Sequence, residues 1–197
     1  MTSVVFDLGN VLIPWDPRFL YRKLLPDEAA VERFLGDVCT AEWNLGLDAG
    51  RPWDEAIGEL LERHPAHAPL IRAYDERWGE MIAPAIAESV MILEELAAAG
   101  TPLYALTNWS EAKFNYARPR YPFLDRFRDI VVSGTVKLVK PDPAIYRLLL
   151  DRNGLSAREC IFIDDSLKNV EAAAALGMNA IHFRSPAELR SLLAGLK

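Results

Sequence analysis

The chain has 197 residues, of which 51% are hydrophobic and 25% are charged, and its formal net charge is -6. This length and hydrophobic content predict one globular domain, or one domain with an insertion. The acidic balance and the lack of a basic stripe exclude nucleic acid as the main partner.

The cysteines and the apolar segments indicate where the protein resides. Cys39 and Cys160 are the only two cysteines, so neither a disulfide framework nor a metal knuckle is expected. No apolar stretch reaches membrane-spanning length, and no basic leader precedes the first strand. We therefore expect a cytoplasmic protein without a membrane partner, either a monomer or a homodimer.

The first 83 residues begin with a strand and then turn helical. Residues 3–8 form a continuous apolar run that predicts a strand, and Gly9-Asn10 ends it in a loop. Asp16-Pro17 and Asp27 are typical helix starts. Further helices are predicted over residues 41–48, 53–63 and 69–81, and no strand-like run interrupts this block.

The rest of the chain alternates between helix and strand. A helix is predicted over residues 85–99 and a strand over residues 103–106. Strands at 130–133, 160–163 and 180–183 then alternate with helices at 143–153, 167–176 and 186–193. This alternation predicts an α/β fold with a Rossmann-like, doubly wound parallel sheet, in which the all-helical block is an insertion after the first strand.

Carboxylates follow two of the predicted strands. Asp7 ends the run Val4-Val5-Phe6, and Asp164-Asp165 follows Ile161-Phe162-Ile163. Because ligands of open α/β sheets bind at the carboxyl ends of the strands, we expect these carboxylates to share one crevice. A divalent cation would offset their repulsion.

Four segments near strand ends carry residue types that phosphoryl transfer requires. Asp7 is a candidate nucleophile, and Thr107-Asn108 offers hydrogen-bond donors for an anion. Lys140 would neutralise charge on phosphate and nucleophile, and Asp164-Asp165 would hold a metal. Each segment alone also fits a turn, a cap or a solvated charge. Together, at successive strand ends, they favour the functional interpretation.

The segments FDLGNVL, LYALTN, KPDPAIY and IFIDDSLKNVEAA resemble the four motifs of the haloacid dehalogenase superfamily. The insertion resembles the helical cap of that superfamily, which implies a core of residues 1–15 and 84–197 and a cap of residues 16–83. The string DLGNV looks like that of small bacterial phosphatases acting on sugar phosphates such as glucose 1-phosphate. It is also similar to the phosphatase domain of soluble epoxide hydrolases.

The resemblance implies a role for each matching residue and an Mg²⁺ cofactor. Asp7 would be the nucleophile and a metal ligand, with the Gly9 carbonyl as a second ligand. Asp165 would bind the metal directly, and Asp164 would support it. The residues that would hold a small phosphorylated substrate are Gly9, Asn10, Thr107, Asn108 and Lys140, of which Thr107 and Lys140 would also assist catalysis.

Gly9 departs from the pattern of most phosphatases in the superfamily, which have an Asp there. That Asp acts as general acid and base, a contribution typically worth ~10²–10⁴-fold. Dehalogenases also lack it, so a 2-haloacid dehalogenase is an alternative, but Asp164-Asp165 would repel a carboxylate substrate that binds without metal. A second alternative is a catalytically weak sensor of phosphorylated ligands.

The missing acid also bears on the substrate. Without it, esters whose leaving groups need little protonation should react best. Trp15 and Trp109 flank the predicted site loops and are candidates for stacking on the substrate, although large aromatic residues usually pack in cores. Arg18, Arg22 and Arg33 are candidates for a second anionic group, although amphipathic helices often carry such residues.

Overall fold

The computed structural model describes residues 2–194 and contains one five-stranded sheet in the order β3-β2-β1-β4-β5. All four strand pairs are parallel. The strands are β1 (Ser3–Phe6), β2 (Leu103–Thr107), β3 (Asp129–Val132), β4 (Cys160–Asp164) and β5 (Asn179–His182). The predicted α/β fold with a parallel sheet is confirmed.

Helices cover the sheet and fill the segment that follows β1. They are α1 (Arg18–Tyr21), α2 (Glu28–Asp37), α3 (Ala41–Asp48), α4 (Trp53–Arg63), α5 (Ala68–Glu76), α6 (Ala87–Ala98), α7 (Glu111–Ala117), α8 (Ser133–Val136), α9 (Pro143–Asn153), α10 (Leu167–Ala175) and α11 (Pro186–Ala194). We call residues 18–80 the helical insertion. It comprises α1 to α5 and 3₁₀ turns at Pro65–His67 and Trp78–Glu80. No helix in residues 2–194 is long and apolar enough to cross a membrane.

Side-chain caps start several helices at the predicted residues. The Asp27 carboxylate accepts a hydrogen bond from the Ala30 N–H at 2.7 Å, and this bond caps α2. Asp142 accepts from the Ala144 N–H at 2.8 Å and is followed by proline at the first position of α9. These caps satisfy backbone donors that the helix leaves free, which explains why the sequence signals located the helix starts well.

The sheet divides the core into two layers because alternate strand residues point to opposite faces. Val4 and Phe6 belong to the larger cluster, which includes the buried residues of the helical insertion. Val5 belongs to the smaller cluster, with Tyr146 and Leu149 of α9. Both faces of β1 are therefore covered, as the continuous apolar run predicted.

Several predicted boundaries were wrong, among them the following three. β1 ends at Phe6 rather than Leu8, because the Leu8 N–H donates to the Asp7 carboxylate at 2.7 Å. The predicted helix 69–81 ends at Glu76, and a 3₁₀ turn follows in which Trp78 packs 5.8 Å from Trp109 between ring centroids. Ser133 begins α8 instead of ending the strand, and α7 had not been predicted.

The strand order places β1 between β2 and β4. From β1 the chain proceeds to β2 and β3 on one side of the sheet, and later to β4 and β5 on the other. The carboxyl ends of β1 and β4 therefore flank the point where the direction of winding reverses. Crevices at such points are where open α/β sheets bind ligands.

Candidate active site

Asp7 follows the last residue of β1 and is buried, with 7% of its surface exposed. Its Oδ1 atom accepts hydrogen bonds from the Leu8 N–H at 2.7 Å and from Lys140 Nζ at 2.9 Å. Burial raises the pKa of Asp7 to about 7, Lys140 opposes the rise, and Asp164 adds to it. Bonds to Oδ1 orient the carboxylate and leave Oδ2 available for chemistry.

Lys140 is 2% exposed and uses all three of its N–H groups within the protein. Nζ lies 2.9 Å from Asp7 Oδ1, 2.7 Å from Asp164 Oδ2 and 2.8 Å from the carbonyl oxygen of Leu106. Burial alone would lower the pKa of Lys140, but the two carboxylates reverse this effect and raise it. The ammonium group therefore stays charged and links β1 to β4.

Thr107 and Asn108 lie at the carboxyl end of β2, where they were predicted. Thr107 is the buried last residue of β2. The Asn108 side chain donates to the Lys140 carbonyl at 3.0 Å and accepts from the Lys140 N–H at 2.8 Å. Only one N–H of the Asn108 amide is used in this way, and Asn108 lines the crevice, so its expected donation to an anion stays a prediction.

Asp164 and Asp165 differ in their surroundings. Asp164 has no exposed surface, and both of its oxygens are hydrogen-bonded, to Lys140, Asn169 and the Ser166 N–H at 2.7–3.0 Å. Asp165 is partly exposed and lines the crevice. Burial raises the pKa of Asp165, and repulsion from Asp164 adds to the rise. Asn10 hydrogen-bonds to Asp165, and its Oδ1 also accepts from the Trp15 N–H at 3.0 Å.

Three carboxylates meet where the sequence predicted a metal. Asp7, Asp164 and Asp165 each offer an oxygen, and these atoms lie within 4.8 Å of one another. The Gly9 carbonyl accepts from the Val11 N–H at 2.7 Å and retains a second lone pair. Hard oxygen donors of this kind suit Mg²⁺, so the residues present fit that ion.

Gly9 borders the same crevice and leaves a gap there. A Cβ atom built on Gly9 would have no atom within 4 Å. The position thus has room for a side chain, but the sequence supplies none. The crevice therefore has no acid at residue 9, where most phosphatases of the haloacid dehalogenase superfamily have an Asp.

The crevice is a cavity of about 200 Å³ between the carboxyl ends of the strands and the helical insertion. Aromatic rings form much of its wall. The lining residues are Asp7, Gly9, Asn10, Ile13, Trp15, Asn44, Asp48, Trp53, Trp78, Asn108, Trp109, Ser110 and Asp165. None of these residues is a lysine or an arginine, and Arg18 and Arg22 form ion pairs with glutamates elsewhere.

Sequence reasoning singled out Trp15 and Trp109 but missed the residues that the helical insertion contributes. Asn44 and Asp48 belong to α3 and are four residues apart, so they share one helix face. The polar pair could have indicated that α3 contributes to a site, because the same helix face has to pack against another part of the protein. What it packs against depends on tertiary structure, which helix periodicity does not reveal.

Asp48 is the last residue of α3, and its carboxyl group has an unusual environment. Asn44 Nδ2 donates to Asp48 Oδ2 at 3.0 Å, and the Tyr74 hydroxyl donates to Asn44 Oδ1 at 2.9 Å. Burial raises the pKa of Asp48 to about 7, although hydrogen bonds from the Ser110 backbone and Asn44 act in the opposite direction. The charge of Asp7, which lines the same cavity, adds to the rise.

Close contacts dock the helical insertion on the sheet beside this cavity. The Ser133 hydroxyl donates to the Asp48 carbonyl at 2.5 Å and accepts from the Trp109 N–H at 2.9 Å. A Cβ atom on Gly50 would lie only 2.9 Å from the Gly134 carbonyl oxygen, so glycine allows the two backbones to approach closely. The position of Asp48 is therefore set by the core as well as by α3.

A family model described as haloacid dehalogenase-like hydrolase matches residues 1–177. The chain belongs to this family. The hydrolase is 29% identical over 181 residues to the sesquiterpene phosphatase astK of Aspergillus oryzae, covering 91% of this chain and 88% of that protein. It is 30% identical over 194 residues to a phosphoglycolate phosphatase of Rhodospirillum rubrum, covering 91% of this chain and 78% of the relative.

Solved structures agree on the fold. The magnesium complex of the HAD family enzyme bt-2542 from Bacteroides thetaiotaomicron superposes with a TM-score of 0.76 at 19% identity, covering 98% of both chains. At that identity the likeness concerns the fold alone. It confirms the Rossmann-like architecture predicted from the alternation of strands and helices.

Proposed function

We propose that this hydrolase is a Mg²⁺-dependent phosphatase that forms an aspartyl-phosphate on Asp7. The observation that carries the proposal is the cluster of Asp7, Asp164 and Asp165, whose oxygens lie within 4.8 Å of one another. Without a cation such a cluster repels itself, and Lys140 supplies only one positive charge to it. A divalent ion and the phosphoryl group that it attracts would complete the charge balance.

Side chains at the strand ends would carry out the other parts of the phosphoryl transfer. Oδ2 of Asp7 would attack phosphorus, since Oδ1 is held by Lys140 and the Leu8 N–H. Asn108 keeps Lys140 in place by bonding both of its backbone polar groups, and Thr107 offers a buried hydroxyl at the end of β2. When bound, Mg²⁺ would neutralise charge on the phosphoryl oxygens.

The cavity favours a small phosphate monoester whose leaving group carries no second negative charge. Trp15, Trp53, Trp78 and Trp109 present apolar rings, and no Lys or Arg is among the described residues that line the cavity. Trp109 Nε1 is buried without a hydrogen-bond partner in residues 2–194, so it can donate to a substrate oxygen. A sugar phosphate or the phosphate of an apolar alcohol meets these conditions.

The dehalogenase alternative is disfavoured by the charge of the site. A 2-haloacid carries a carboxylate, and Asp7, Asp48 and Asp165 all line the cavity that it would enter. Halide release from 2-haloacids, measured beside phosphate release, separates the two activities. The sensor alternative predicts ligand binding without turnover by the wild type.

The experiment is a phosphate-release assay over phosphorylated metabolites, with Mg²⁺ and after exhaustive chelation. We expect release that depends on Mg²⁺ and is lost in Asp7→Asn, with a phosphorylated enzyme trapped by acid quench in the wild type only. Asp37→Asn is the control, because Asp37 is an exposed aspartate at the end of α2, in the helical insertion and outside the crevice. Equal release with and without chelator would refute the proposal.

A further inference from the structure

Removal of a leaving alcohol requires a proton donor, and the core strands do not provide one. Among residues 2–194, three carboxyls line the cavity, and two of them, Asp7 and Asp165, belong to the proposed nucleophile and metal site. Gly9, which borders them, has no side chain. The remaining acid is Asp48, which reaches the cavity from the helical insertion.

Asp48 is held as a positioned group rather than as a free surface charge. Tyr74 orients Asn44, and Asn44 binds Asp48 Oδ2. The backbone of Asp48 is fixed separately by the Ser133 hydroxyl, which also binds the backbone N–H of Trp109. A side chain restrained from both ends keeps its carboxyl at one place in the cavity, which proton transfer demands.

We infer that Asp48 is the general acid and base of this phosphatase and takes the part that Gly9 leaves vacant. The inference rests on the proposed function. As Asp7 Oδ2 bonds to phosphorus and the bond from phosphorus to the ester oxygen breaks, protonated Asp48 gives its proton to the departing oxygen. The Asp48 carboxylate then takes a proton from water as that water attacks phosphorus, which releases Asp7 and phosphate and leaves Asp48 protonated again.

The electrostatic surroundings support a carboxyl that exchanges its proton near neutrality. The titratable groups that face it are Asp7 and Asp165 across the cavity and Tyr74 behind Asn44. Lys140 offsets part of the charge of Asp7 and Asp164, but no lysine or arginine among the described residues lines the cavity itself. Asp48 also ends α3, where the helix dipole disfavours negative charge. These effects act together with burial, which raises the pKa of Asp48 to about 7.

Leaving-group dependence in Asp48→Asn tests the inference. With a primary alkyl phosphate we expect the rate of the first step to fall by about 10²–10⁴-fold, because the alcohol must leave without a proton. With p-nitrophenyl phosphate the first step should stay fast and give a burst of one nitrophenol per enzyme. Slow turnover and accumulated aspartyl-phosphate should follow, since the water also lacks its base. Asp37→Asn should match the wild type with both esters.

A second variant separates chemistry from structural damage. The double variant Gly9→Asp with Asp48→Asn restores an acid at a position with open space and should recover alkyl phosphate turnover by at least about 10-fold. A structural defect at Asp48 would not be repaired by a carboxyl at residue 9. The wild type gives a further measurement that requires no variant, because its first-step rate should vary little with leaving-group acidity.

The outcomes distinguish the two proposals. Equal losses in the first-step rate of Asp48→Asn with both esters, no first-step loss with either, or a steep leaving-group dependence in the wild type would each overturn the role of Asp48. In those cases Mg²⁺-dependent release and the phosphorylated Asp7 would still stand. A wild type that forms no phosphoenzyme would overturn the proposed function itself.

Discussion

Lys140 Nζ lies 2.9 Å from Asp7 Oδ1, and both groups are buried at the carboxyl end of the sheet. The same ammonium lies 2.7 Å from Asp164 Oδ2, so one cation serves two carboxylates from β1 and β4. Removing one partner of a buried ion pair leaves an uncompensated charge, which is far more costly than the loss of a surface pair. The relationship therefore matters for stability as well as for chemistry.

Lys140→Met should lower the free energy of unfolding by about 3–5 kcal/mol, because Asp7 and Asp164 would lose their shared cation. Urea unfolding at pH 7 measures this change. Lys137→Met is the control, since Lys137 is exposed three residues away and should change stability by less than about 0.5 kcal/mol. Equal effects of the two variants would contradict the prediction. Phosphate release should fall to background only in Lys140→Met.

Mg²⁺ should stabilise the folded protein, because the metal binds a carboxylate cluster that exists only after folding. At a concentration 100 times its dissociation constant the gain is about 2.7 kcal/mol, or about 5–10 °C in melting temperature. Asp165→Asn should raise the melting temperature in chelator, since it relieves repulsion, and should abolish most of the Mg²⁺ shift. Thermal scans of both proteins and of Asp37→Asn check this. A full Mg²⁺ shift in Asp165→Asn would exclude Asp165 as a ligand.

Asp48 should make the metal-free protein less stable as pH rises. Its pKa is raised from 3.8 to about 7, so between these values the folded state holds a proton that the unfolded state has lost. The stabilising contribution is complete below pH 4 and is lost as pH approaches 7. The stability of Asp48→Asn relative to the wild type should therefore increase with pH, by up to about 1.4 kcal/mol per pH unit, and level off above pH 7. A difference that stays constant from pH 4 to pH 8 would contradict the raised pKa.

Substrates should be ranked by the charge of their leaving group. We expect phenyl phosphate and prenyl phosphates to have a kcat/KM at least about 10-fold higher than phosphoglycolate, because no lysine or arginine among the described lining residues could pair with its carboxylate. Steady-state kinetics at one Mg²⁺ concentration give the ranking. A wild type that prefers phosphoglycolate would refute the assignment.

Gly134→Ala should destabilise the part of the core against which the helical insertion packs. The added Cβ would lie 2.6 Å from the Glu111 nitrogen and 2.9 Å from the Trp109 carbonyl, both of which are backbone atoms. We expect a loss of about 1–3 kcal/mol in urea unfolding and a reduced kcat. Gly36→Ala is the control with opposite sign, because Gly36 lies within α2 with no atom near its Cβ position and should gain about 0.5–1 kcal/mol.

The parallel sheet and the helices could be predicted because their signals are local. The run Val4-Val5-Phe6 is buried on both faces, so it reads as a continuous apolar strand, and Asp27 and Asp142 cap helices by bonding backbone groups two or three residues away. The end of β1 was missed because the Asp7 side chain binds the neighbouring Leu8 N–H and removes it from the sheet. The end of α5 was missed because a distant partner decides it. Trp78 leaves the helix pattern to pack against Trp109, and neither residue alone predicts that contact.

The strand-end residues of the site were also predictable, because the carboxyl ends of parallel strands share one edge of the sheet. The structure brings Asp7, which follows β1, and Asp164, which ends β4, together as that rule requires. Lys140 reaches both carboxylates from the loop between α8 and α9. The contribution of the insertion was not predictable in the same way. Asp48 reaches the cavity only because Ser133 and Gly134 of the core accept the segment that follows α3, and no short-range pattern encodes this docking.

The hydrogen bond from the Ser133 hydroxyl to the Asp48 carbonyl joins the proposed general acid to the contact between the core and the helical insertion. Trp53 takes part in the same contact, because its indole N–H donates to the Ser110 hydroxyl at 3.2 Å. Lifting the helices to admit a substrate or free a product would withdraw the acid and an aromatic wall in one movement. Proton donation would therefore require the closed arrangement of the helical insertion. A phosphate ester whose alcohol prevents closure would not be hydrolysed, even when its phosphate reaches Asp7.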